Sequence, residues 1–194
     1  MLPDRETALR LLEESHAMNP GPWREHSLTA AHCAEAIAKH CGMDAEKAYI
    51  LGLLHDIGRR CGVYHMRHVV DGYVFLLSLG YTEAARACLT HSFADGDLDM
   101  YIGKRDTTEQ ETALIEKELQ RIEFDDYDRL IQLCDALAGA EGVMDIEDRM
   151  NDVRRRYGQY SQRKWDMNLS LKAYFEEKMG MNIYEATEKD TFRP

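Results

Sequence analysis

His55 and Asp56 stand side by side at the end of an apolar run, Leu53-Leu54-His55-Asp56-Ile57-Gly58-Arg59. An unpaired carboxylate among leucine and isoleucine is costly, and a cation reached by both side chains removes that cost. Four residues of the same chemistry follow the same placement: His26, His68, His91 and Asp135 each fall within or at the end of a segment with an apolar face. Six imidazole and carboxylate donors from rigid elements make a metal site inside a helical bundle. Sulfur is absent from this set. The five cysteines (Cys33, Cys41, Cys61, Cys88 and Cys134) form no C-x-x-C pair, which argues against a thiolate zinc site and a disulfide framework. Nitrogen and oxygen donors suit Fe, Mn, Co, Ni or Zn.

Adjacent residues in mid-helix point about 100° apart, so His55 and Asp56 cannot serve one ion there. At a loosening last turn they can diverge toward two ions, with Asp56 bridging. Such a centre holds divalent ions about 3.5–4 Å apart. A bridging Asp56 with further imidazoles and a terminal carboxylate would hold both ions.

The elements that must position these groups are helical nearly throughout. Apolar spacing predicts helices over residues 4–17, 23–40, 45–57, 65–79, 82–91, 109–121, 126–140, 145–157 and 162–179. Asp44 and Thr82 read as N-caps, Thr108 with Glu111 as a capping box, and Gly58 as the terminator of the third helix. Asn19-Pro20-Gly21-Pro22 breaks the chain, and residues 94–106 read as a loop. No strand is expected, and the tail after Asn182 reads as loosely held. The class is all-α, in one domain over residues 1–194. The helices over 145–180 either close the bundle or form a homodimer contact.

Twenty-four Lys and Arg against 35 Asp and Glu give a net charge of −11. No global basic field therefore attracts a nucleic-acid polymer, and an anionic substrate must be drawn in locally. Unpaired cysteines, no membrane-length apolar run and no signal-like N-terminus point to a cytoplasmic protein.

The order His26, His55-Asp56, Asp135 resembles the HD-domain superfamily of metal-dependent phosphohydrolases. The flanks agree: Glu25-His26-Ser27 precedes an alanine-rich helix, a basic residue follows Gly58, and an apolar run leads into Asp135. His68-Val69-Val70-Asp71-Gly72 and Leu89-Thr90-His91-Ser92 are similar to the extra histidines of the two-metal branch. The resemblance spans about residues 20–140. It implies a binuclear centre that generates hydroxide to cleave a phosphate ester or anhydride of a small molecule, with a nucleotide as the expected substrate. Asp56 and Arg59 would be catalytic; Arg59, Arg60 and His65 would contact substrate. Arg24, Arg67, Lys104 and Arg105 are looser phosphate-binding candidates.

The chain departs from branches with known substrates. Members cleaving cyclic dinucleotides carry a Gly-Tyr-Pro signature and a second histidine where this chain has Ser92. Two other readings stand beside hydrolysis: a di-iron oxygenase on the same fold, and a non-catalytic module that keeps the metals as a staple. Trp23, Met144 and Met150 read as packing residues.

Overall fold

A computed structural model describes residues 1–190, and among these the chain is helical as expected. Its elements are α1 (Arg5–Met18), α2 (Trp23–His40), α3 (Ala45–Leu54), α4 (Arg67–Ser78), α5 (Thr82–Thr90), α6 (Glu109–Leu119), α7 (Asp126–Leu137), α8 (Ile146–Tyr157), α9 (Gln162–Met179) and α10 (Ile183–Asp190). Side chains cap several of them. Asp44 accepts the Lys47 N–H at 3.0 Å, and Thr108 with Glu111 closes a reciprocal capping box. Thr82 does not cap α5. Its hydroxyl instead accepts from the N-terminal ammonium at 2.9 Å.

α2 is the central helix. Ala30, Ala31 and Ala34 are fully buried along it, and small side chains let α3 lie close. A Cβ on Gly52 of α3 would come within 2.8 Å of the Ala31 Cα. One face of α2 joins α3, α7, α9 and α10 in a core that includes Leu130, Leu133, Leu171 and Phe175. Another joins α1, α3 and α5 through Leu12, Leu53 and Cys88. A smaller core under α4, α5 and α6 holds Met66, Phe93 and Ile115.

Further expectations are corrected. The third helix stops at Leu54, with His55 as its cap, and a 3-10 turn over Ile57–Cys61 follows. Gly58 therefore does not terminate a helix. It is a contact surface, because a Cβ there would sit 1.9 Å from the His68 carbonyl oxygen and 2.5 Å from the Gly72 nitrogen. Gly72 in turn faces the Cys88 sulfur, 3.0 Å from where its own Cβ would stand. These close approaches seat the turn after Asp56 on α4, and α4 on α5.

The seventh helix ends at Leu137, and an antiparallel pair of two-residue strands follows, β1 (Ala138–Gly139) with β2 (Gly142–Val143). The segment after Asn182 forms α10, which buries Ile183, Ala186 and Thr187 as it packs on α2. Residues 191–194 of the expected loose tail lie outside the described residues. Within residues 94–106, Ala94–Gly96 and Leu98–Met100 form 3-10 turns. No described helix is long and apolar enough to cross a membrane.

Candidate metal centre

The structure brings all six sequence-predicted donors together. His26 comes from the first turn of α2, His55 and Asp56 from the exit of α3, and His68 from the start of α4. His91 caps the end of α5, and Asp135 lies in the last turn of α7. His55, Asp56, His68 and His91 are 0–3% exposed, and Asp135 is half-buried and opens onto a cavity. The His55-Asp56 pair diverges because the helix ends between them: His55 keeps helical angles (φ −57°, ψ −35°), whereas Asp56 has φ −103°, ψ 11°.

Each imidazole is oriented the same way. Nδ1 of His26 meets the Ala138 carbonyl at 3.0 Å, that of His55 the Gly52 carbonyl at 2.6 Å, and that of His91 the Cys88 carbonyl at 2.9 Å. His68 Nδ1 faces the His65 carbonyl. A carbonyl only accepts, so Nδ1 carries a proton in all four rings, and in each ring's neutral form Nε2 is left as a lone pair. These lone pairs then face one another: His26 Nε2 lies 3.3 Å from His55 Nε2, and His68 Nε2 lies 3.3 Å from His91 Nε2. Two lone pairs at that distance repel unless something positive lies near both.

Asp56 serves each pair with a different oxygen. Oδ1 is 3.1 Å from His68 Nε2 and 3.6 Å from His91 Nε2. Oδ2 is 4.0 Å from both His26 and His55 Nε2. Asp135 Oδ1 completes the second group, at 3.0 Å from His26 and 3.8 Å from His55. Oδ1 of Asp56 is buried and has no hydrogen-bond donor, while Oδ2 accepts from Arg59 Nε at 2.5 Å.

Burial opposes ionisation of Asp56, but the Arg59 guanidinium and the His68 and His55 rings outweigh it and hold the carboxyl well below its usual range. Burial likewise opposes ionisation of Asp135, and His26 and His55 reverse it. His91 is pushed down to about 3 by burial, with His55 adding to the effect, so its ring stays neutral. Charged carboxylates and a neutral imidazole are the states that bind metal.

These observations fit divalent cations. Imidazole nitrogens converge, one buried carboxylate oxygen is orphaned, and the donors are nitrogen and oxygen only. The triads His26/His55/Asp135 and His55/Asp56/His91 each bring their donor atoms close enough to share an ion.

The cluster opens onto a cavity of about 610 Å³. Arg59 lines it, but Arg60 does not. Arg60 stacks on the Phe75 ring at 3.8 Å and reaches the Met18 sulfur on the far side of its turn. His65 also stays out of the lining and packs edge-on against Tyr157, 5.8 Å between centroids. Arg24 pairs with Glu13, Arg67 with Asp71 and Arg105 with Asp99, and Lys104 does not line the cavity either. Trp23 is buried yet borders the cavity, as do Met144 and Met150.

α8, α9 and the link between them supply wall residues that sequence reasoning missed: Arg149, Arg156, Tyr157, Tyr160, Lys164 and Asn168. Arg149 Nε donates at 2.8 Å to the Ala138 carbonyl that also accepts from His26. Asp106, equally missed, accepts the backbone N–H groups of His65 at 2.7 Å and Arg67 at 2.9 Å and so anchors the start of α4 beneath His68. None of these residues carries a local spacing signal.

Residues 23–140 match the family model for the HD domain, so the chain belongs to the HD-domain family. Domains of this family are typically metal-dependent hydrolases, and the His/Asp cluster is compatible with divalent cations. No curated protein and no solved structure matches the chain.

Proposed function

We propose that this protein is a binuclear phosphohydrolase that cleaves a phosphate ester or anhydride of a nucleotide-sized molecule. One observation carries the reading. Two imidazole pairs, each with Nε2 atoms 3.3 Å apart, meet opposite oxygens of a single carboxylate. His26, His55, Asp135 and Asp56 Oδ2 would hold one cation; His68, His91 and Asp56 Oδ1 would hold the other. Bound divalent cations lower the pKa of water toward neutrality and offset charge developing on phosphoryl oxygens.

The chain's own residues prepare that chemistry. Four backbone carbonyls fix the ring tautomers. Arg59 holds Asp56 in place through Nε and borders the cavity, where its guanidinium can clamp a phosphate oxygen. A cavity of about 610 Å³ with aromatic, apolar and cationic walls has the size and character of a small-molecule site.

The test joins metal analysis to a screen of phosphomonoesters, phosphodiesters and dinucleoside polyphosphates. Turnover should persist without O₂ and vanish in both His55→Ala and Asp135→Ala. Turnover that stops under anaerobic conditions would instead favour the oxygenase reading. Metal-loaded protein inert toward every phosphate compound would sink the proposal.

A further inference from the structure

Among the described residues four Lys and Arg side chains line the cavity, and three have carboxylate partners. Arg59 is held by Asp56 at 2.5 Å, Arg149 lies 3.5 Å from Asp152, and Arg156 lies 2.9 Å from the same carboxylate. Lys164 differs. Among the described residues no carboxylate is within ion-pairing distance of its ammonium, and its side chain makes one hydrogen bond, to the Ser92 carbonyl at 3.0 Å. An ammonium has three donors, so two are left for something in the cavity.

Its position is specific. Ser92 follows His91, and the Ser92 hydroxyl lies 2.9 Å from His91 Nε2, so the lysine is tethered beside the His68/His91 end of the cluster. The charge of Asp135, which opens onto the same cavity, favours the protonated amine. Burial lowers the affinity of the Lys164 amine for its proton, as expected of a cation with no partner in a partly dry wall. Lys164 is half-buried, and a cation so placed with no carboxylate beside it gains from an anion that pairs with it.

Resting on the hydrolase reading above, we propose that Lys164 binds a non-bridging oxygen of the substrate's terminal phosphate and selects monoester dianions over diesters. A monoester offers three charged non-bridging oxygens, enough to meet the cluster and the ammonium together. A diester replaces one of them with an ester group, which would leave the ammonium facing a group that cannot neutralise it.

The test compares wild type with Lys164→Met and Lys164→Arg. Inorganic phosphate is titrated calorimetrically into metal-loaded and metal-free protein. Affinity should fall about 10-fold in Lys164→Met, the size of one lost charge-assisted hydrogen bond, and largely return in Lys164→Arg. The kcat/KM ratio for p-nitrophenyl phosphate over bis(p-nitrophenyl) phosphate should drop by a similar factor. Metal content should match wild type in both variants, because Lys164 touches no cluster side chain; a Lys164→Gln variant serves if the methionine form does not fold. Phosphate affinity within two-fold of wild type, or an equal loss on both esters, overturns the assignment. Phosphate binding that depends on Lys164 in a protein that hydrolyses neither ester would leave the anion site standing and defeat only the hydrolase reading.

Discussion

Between residues 23 and 140 the chain delivers six donors to one cluster, whereas α8 and α9, beyond those matched residues, deliver cations and rings to a wall of the cavity. The two regions are held in place differently. Three cluster histidines are fixed by carbonyls three residues earlier: His55 by Gly52, His68 by His65 and His91 by Cys88. The wall attaches across long spans, with Lys164 reaching Ser92 and Arg149 reaching Ala138. The cluster is thus seated largely by local contacts, and the wall by tertiary ones.

The largest expected contrast lies in turnover. Asp56→Ala removes the carboxylate shared by both imidazole pairs and should cost on the order of 10³-fold or more in kcat. Arg156→Ala in the wall should instead raise KM about 10-fold with kcat largely kept. Steady-state kinetics on one substrate separates the two, and equal losses in kcat would erase the distinction.

Stability gives the next contrast. Gly58→Ala forces a Cβ against the His68 carbonyl and the Gly72 amide, both backbone groups that cannot swing aside. A loss of about 3 kcal/mol or more is expected by urea unfolding, with cation binding at the His68/His91 end weakened alongside. Val153→Ala in the wall should cost less than about 1 kcal/mol.

Arg149 tests whether the wall feeds back on the cluster. It shares the Ala138 carbonyl with His26, so Arg149→Met should loosen that ring's seat and weaken cation affinity about 10-fold. Unchanged affinity would show that the two regions are independent.

A modest effect is expected at Asp106. Burial alone would raise its pKa, but the His65 and Arg67 amides bring it below the ordinary carboxylate value. A carboxyl lowered in the folded state adds stability above its unfolded pKa, and that stability is lost as pH falls through the folded value. Asp106→Asn should therefore cost about 1 kcal/mol near neutrality and flatten the acid limb of the stability profile below about pH 4. An unaltered acid limb would remove Asp106 from the support of His68.

The sequence was most legible where geometry is local. His26, His55-Asp56, His68, His91 and Asp135 announced themselves because polar donors in apolar helical surroundings are conspicuous. Arg60 misled because neighbours on a 3-10 turn point about 120° apart, so Arg59 meets Asp56 while Arg60 turns to Phe75. Gly58 looked like a helix stop because its role, close contact with α4, exists only in the folded chain. α10 escaped notice because its buried positions among the described side chains, Ile183, Ala186 and Thr187, are mostly small. Lys164 and Asp106 act on partners 72 and about 40 residues away, which no spacing rule reveals.

Counting cations is the most direct test of the shared carboxylate. Chains loaded with manganese or zinc and freed of excess should carry two ions in wild type, one each in His26→Ala and His68→Ala, and fewer than one in Asp56→Ala. A single ion in wild type, or the same content in all four proteins, would contradict a centre in which Asp56 joins two sites.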